Sequence, residues 1–288
     1  MTTSTKNGLT PIQSMIAYLG GSTIQTIADN PITAYRQLIQ QYAKGASGVL
    51  ISPSSARREA NAVFRKTPIQ ASLSGLGPRL VGVGFKRIPK FGALLGIAYF
   101  VETGEDIGFV AATGASILSA PFINPIRFIE KQQRVSFQSS LDILRESAKQ
   151  NFRPLFRGTV PLMGHSLASA TTGLVGQPQI QKYIKRELNS TTSLGDFAVG
   201  LVSSAVVSPI YIMMTNPLSR LEVIMQTSPV TGKAINIQSA IKEVFLDCKQ
   251  FGIRGMFRGQ GIGIVKAVIS LTLFHQGRLW ITEGFVSI

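Results

Sequence analysis

NPITAYRQLIQ at residues 30–40, NPIRFIEKQQR at 124–134 and NPLSRLEVIMQ at 216–226 are three versions of one phrase. The Asn-Pro pair recurs at intervals of 94 and 92 residues. A serine stands nine residues before each Pro, at Ser22, Ser116 and Ser208. A small residue stands seventeen before, at Ser14, Gly108 and Gly200. Such offsets keep these positions on nearly one helix face. Self-similarity at a long fixed period has to be read first, because it constrains the whole architecture.

A second phrase follows each first one. It reads FRG at Phe156–Gly158 and Phe257–Gly259, and more weakly LSG at Leu73–Gly75. Each unit therefore predicts a helix kinked at its proline (Pro31, Pro125 or Pro217), an amphipathic surface helix, a glycine turn and a second helix. The segment 136–150, SFQSSLDILRESAKQ, is one expected surface helix. Three helix pairs make six spans. The expected fold is an all-α membrane protein of three pseudo-repeats, 1–105, 106–193 and 194–288, around a central cavity.

Composition agrees with a membrane setting. The 288 residues carry 29 Lys+Arg against 14 Asp+Glu, a net charge of +15. Charged residues are 15%, well below the roughly 25% of ordinary soluble domains. With 44% hydrophobic residues this is no disordered chain. Two classes remain: a basic membrane protein, or a basic helical protein on nucleic acid. Stretches 107–126, 158–181 and 197–218 carry no formal charge, and 259–277 only Lys266. They have the length of about 20 residues that a span needs. Gln25, Asp29 and Asn30 interrupt the candidate at 12–35, and Arg79, Lys86, Arg87 and Lys90 that at 75–101. Ionisable residues inside spans usually face a wet path.

Other classes find little support. Basic residues spread along connecting segments predict no nucleic-acid partner. The chain has no phosphate-loop motif and no arguable nucleophile–base pair, so no enzyme is expected. Cys248 is the single cysteine, and His165 and His275 lie far apart. Neither a metal nor a cofactor is expected.

In these phrases the chain resembles the mitochondrial carrier family over essentially its whole length. The family pattern is Pro-x-acid-x-x-base, a Gln nine after the Pro, then acid-Gly, a spacer and aromatic-base-Gly. Pro31, Pro125 and Pro217 match, as do Gln40 and Gln226, while Arg134 departs. GIRGMFRG at 252–259 nearly copies the second element, with Phe251 at the acid position. The resemblance implies a monomeric, multi-pass solute carrier of the mitochondrial inner membrane. It would move an anionic metabolite, a nucleotide or a di- or tricarboxylate, by alternating access.

The resemblance also implies site residues. The matrix-side gate pairs become Thr33 with Glu130, Arg127 with Glu222, and Ser219 with Arg36, braced by Gln40 and Gln226. Only Arg127–Glu222 is ionic, with its polarity swapped. The outer gate positions, Leu95/Ala98, Pro178/Gln181 and Arg278/Ile281, keep no ion pair. Substrate contacts fall seven residues after each glycine, at Gly82, His165 and Lys266, with Ser166, Lys86 and Arg87 nearby. These candidates are cationic with no carboxylate among them. Gly158 and Gly259 match the turns that hold cardiolipin, a membrane lipid partner. The missing outer pairs leave one alternative, a transport-inactive carrier-like receptor or scaffold.

Overall fold

The computed structural model describes residues 11–42, 50–85, 114, 117–172, 177–188, 193–228 and 235–286. Every element within them is a helix. They are α1 (Pro11–Gln41), α2 (Pro53–Lys66), α3 (Pro68–Leu73), α4 (76–85), α5 (Ala120–Ser136) and α6 (Ser140–Ala148). A 3-10 turn (Arg153–Phe156) leads to α7 (Thr159–Thr171), α8 (Gln177–Leu188), α9 (Ser193–Thr227), α10 (Ile237–Phe251), α11 (Ile253–Met256) and α12 (Gln260–Val286).

Pro31, Pro125 and Pro217 lie inside α1, α5 and α9. Each lacks the N–H that would bond the carbonyl four residues back, at Ile27, Pro121 and Met213. Pro209 adds a second interruption to α9.

Three short amphipathic helices start on side-chain caps. Ser52 accepts from the Ser55 amide at the start of α2, Ser139 from Asp142 at α6, and Asn236 from Ser239 at α10. Each cap satisfies an amide that the first helical turn leaves unpaired. The expected surface helix at 136–150 is shorter than read: α6 runs from 140 to 148. Phe137 closes α5 in the left-handed conformation, which separates the two helices.

The three glycines of the second phrase make the predicted turns. Gly75, Gly158 and Gly259 have φ of 72°, 80° and 73°. A side chain is strained in that region, which is why glycine stands there.

Apolar packing is divided among three small clusters. One joins Leu38 and Ile39 to Ala60, a second Phe128 and Ile129 to Ile143 and Leu155, a third Ile224 to Ala240 and Val244. Each ties a proline-bearing helix to the short amphipathic helix after it. α1 and α12 run antiparallel along their length, closing the chain's first helix against its last.

Polarity is inverted relative to a soluble bundle. On α9 the buried positions include Ser203, Ser204, Ser208, Thr215 and Asn216, while Leu201, Val206, Ile210 and Met213 are exposed. Deeper toward its C-terminus Arg220, Glu222 and Gln226 are also buried. Phe122, Leu118, Val160 and Val265 add to the apolar exterior.

The four uncharged stretches are met only in part among the described residues. Among the described residues one helix, Ala198–Thr227, is long and apolar enough to cross a membrane by length and composition. Gln260–Ser270 is a shorter apolar stretch, and α7 has 13 residues. Nine of the twenty residues of the stretch 107–126, namely 107–113 and 115–116, lie outside the described residues.

Candidate functional site

The centre of the protein is a network of buried polar side chains contributed by α1, α4, α5, α9 and α12. Its organising residues are the asparagines before the three prolines. Each sends its amide Nδ2 to carbonyls just before a glycine turn. Asn30 reaches Ser72 at 2.6 Å, Asn124 reaches Leu155 and Arg157 at 2.9 and 3.0 Å, and Asn216 reaches Met256 at 3.3 Å.

Each asparagine oxygen then accepts from another of the three proline helices. Gln40 donates to Asn216 at 3.3 Å, Arg134 to Asn30 at 2.7 Å, and Gln226 to Asn124 at 2.6 Å. The three donors all stand nine residues after a proline. The contacts run α1 to α9, α9 to α5 and α5 to α1, which closes a ring. The sequence marked the Asn-Pro pairs but gave a role only to the prolines, not to the asparagines beside them. Arg134, which departs from the glutamine pattern, fills the glutamine's place in this ring.

The expected gate pairs fare differently. Arg127 Nη1 meets both Glu222 oxygens at 3.2 Å. Lys131 joins at 2.8 Å from the same carboxylate, so a pair has become a triad. Thr33 does not meet Glu130. Its hydroxyl turns back to the Asp29 carbonyl, and Glu130 is held by Arg134 at 2.7 Å and approached by Arg79 at 4.0 Å. The reason is local: Arg134 is four residues on along the same helix, within direct reach. Ser219 does not meet Arg36, which donates to Asn216 at 2.5 Å instead. Gln40 and Gln226 brace asparagines rather than ion pairs.

Arg36 is buried, yet among the described residues it meets no carboxylate, and its Nε has no hydrogen-bond partner. Gly263 of α12 makes room for it: a Cβ there would stand 3.2 Å from Arg36 Cζ. Gly259 abuts the same side chain, its Cβ position 3.3 Å from Arg36 Cγ. Gly158 sits similarly on Gln226 at 3.2 Å. The two glycines read as lipid contacts therefore also seat network side chains.

The expectation of a cationic site without a carboxylate is overturned. Lys266 lies 4.0 Å from Asp29, which is fully buried and bound to Arg79 at 2.5 Å. Ser270, one turn beyond Lys266, donates to Asp29 and accepts from Gln25. Asp29 looked like an interruption of an apolar span. Its partners come from α4 and α12, and only the packing register reveals them.

The remaining candidates are more dispersed. His165 is half-buried, with its ring edge-on to Tyr211 at 6.5 Å between centroids. Ser166 is buried. Gly82 packs against Ile126, where a Cβ would come within 3.3 Å, so it serves close helix approach. Lys86, Arg87, Leu95 and Ala98 lie outside the described residues. At the glycine turn of α7, burial lowers the Arg157 pKa below its ordinary value.

A second ion cluster was not anticipated. Asp247 lies between Arg258, at 2.5 Å, and Arg220, at 2.8 Å, all three fully buried. Phe251 occupies the expected acid position, and the acid stands one helical turn earlier. Arg258 stacks on the Phe251 ring at 5.2 Å and also donates to the Ile51 carbonyl.

In the central network, among the described residues, Arg36, Arg79, Arg127, Lys131, Arg134 and Lys266 face Asp29, Glu130 and Glu222. That is six cations against three carboxylates. Such an excess in a partly dry interior favours an anion. No family model matches the chain and no curated protein matches it.

Proposed function

We propose that this protein is a transmembrane solute carrier for an anionic metabolite, a nucleotide or a di- or tricarboxylate. The observation that carries this reading is the inverted polarity: an ionisable, net-cationic interior inside an apolar exterior. A soluble bundle with this distribution would expose its greasy side chains to water and bury unbalanced charge, both unfavourable. In a bilayer the exterior faces hydrocarbon, and the interior charges line a wet path.

On this reading the three Asn-Pro phrases mark three pseudo-repeats with six spans, and the closed ring of Gln40, Arg134 and Gln226 is the shut side of the path. The Arg127–Glu222–Lys131 triad and Glu130–Arg134 lock it by charge-assisted hydrogen bonds. Arg36, Arg79 and Lys266 are the substrate-facing cations. Resemblance to mitochondrial carriers supports the inner mitochondrial membrane, alternating access and a monomer.

Reconstitution tests the proposal. Purified protein in liposomes is expected to take up labelled nucleotide, phosphate, oxodicarboxylate or citrate saturably, from vesicles with matched or empty interiors. Extraction of the native protein from membranes by alkaline carbonate would contradict it. A folded, membrane-embedded protein that moves none of these anions would favour the receptor or scaffold reading.

A further inference from the structure

Asp29 is peculiar to the first phrase, since Ile123 and Thr215 hold the same place, two before the proline, in the others. It is sealed from solvent, whereas the two cations it meets are not. The side chains of Arg79 and Lys266 keep 16% and 23% of their surface open. The carboxylate is thus at the back and the cations in front. Ser270 donates to Asp29 and is itself held by Gln25. Arg79 is further fixed by the Asn30 side-chain oxygen at 3.4 Å and the Thr26 carbonyl at 3.5 Å. The other nearby acid, Glu130, is already answered by Arg134.

We propose that Arg79 and Lys266 form a subsite for one singly charged oxyanion group, a carboxylate or a phosphodiester, and that Asp29 sets the charge this subsite accepts. The inference rests on the anion-carrier reading and deepens it. Two cations and one carboxylate leave a single positive charge, so a singly charged group neutralises the subsite. A doubly charged group leaves a negative charge beside Asp29, which is costly where water is scarce. Arg79 and Lys266 touch the anion. Asp29 is a positioning residue, acting through both of them.

Binding separates these roles without requiring transport. Purified protein in detergent is titrated with sulfate, doubly charged, and acetate, singly charged, following thermal stabilisation. Wild-type protein is expected to be stabilised by acetate at lower concentration than by sulfate. Asp29→Asn is expected to improve sulfate binding relative to acetate by about tenfold, as one more unit of positive charge demands. Loss of a merely structural residue would weaken both anions equally, leaving the ratio unchanged, and that result overturns the proposal. Should Asp29→Asn not fold, Arg79→Gln decides: binding of both anions must weaken at least about tenfold, and unchanged binding overturns the subsite. If the ratio shifts as expected while liposomes show no uptake, the subsite stands and the carrier reading falls.

Discussion

Gln226 donates its side-chain amide to Asn124 Oδ1 at 2.6 Å, binding the C-terminal end of one proline helix to the N-terminal part of another. Arg134 to Asn30 and Gln40 to Asn216 repeat the contact around the protein. Three helices with few apolar contacts at their centre are thereby joined by side-chain hydrogen bonds, each between groups that water cannot reach. Breaking one strands a buried donor, at a cost of about 1–3 kcal/mol. Asn124→Ala, which takes from Gln226 one of its two acceptors (the Arg157 carbonyl at 3.1 Å stays) and from the buried Leu155 carbonyl its Asn124 donor, is expected to fall in that range by thermal unfolding in detergent. Asn216→Ala should cost more than Asn124→Ala, because it also removes the hydrogen-bond partner of the buried Arg36.

Arg134 has two roles that can be separated. Arg134→Gln supplies the amide with which Gln40 and Gln226 reach their asparagines at the equivalent positions but leaves Glu130 without its nearest cation. Stranding a buried charge costs about 3–5 kcal/mol. Adding Glu130→Gln removes the stranded charge and should recover most of the loss. A double-mutant cycle that gives simple additivity would show the two residues to be uncoupled.

Asp247 answers two buried arginines. Asp247→Asn is expected to cost about 3–5 kcal/mol, among the largest single effects in the protein. Phe251→Asp, which restores an acid where the carrier pattern has one, should recover part of this in the double variant, since that position already lies beside Arg258. No recovery would mean that the cluster depends on the α10 register rather than on charge alone.

Two glycines near the start of α12 should respond oppositely. Gly259 has φ of 73° and lies against Arg36, so Gly259→Ala is expected to destabilise by about 1–2 kcal/mol and to shift Arg36. Gly261 is helical with open space where a Cβ would go, so Gly261→Ala should stabilise by up to about 1 kcal/mol. Unfolding midpoints of both variants check the contrast.

The all-helical character and the three glycine turns were legible because each rests on backbone rules that a single position enforces. Pro31, Gly158 and Gly259 announce themselves by residue type. Side-chain partnerships were legible only where family resemblance supplied a register, as for Arg127 and Glu222. Glu130 was assigned to Thr33 although Arg134, four residues on, was visible on the same helix face. Asp29 and Arg79 were unreadable as partners because they sit 50 residues apart on helices whose packing offset no local pattern encodes. Asp247 escaped for a simpler reason: the acid had moved one turn from the position where the pattern expects it.

Anion uptake by reconstituted protein tests the central claim most directly, with wild type and Lys266→Ala compared in the same vesicles. The account predicts saturable uptake of a labelled nucleotide, phosphate or di- or tricarboxylate, reduced at least about tenfold in Lys266→Ala, the loss of one charge-assisted contact. Lys266→Arg should retain a substantial part of it. Absence of uptake for every anion, from wild-type protein that unfolds cooperatively and resists extraction from the membrane, would contradict transport.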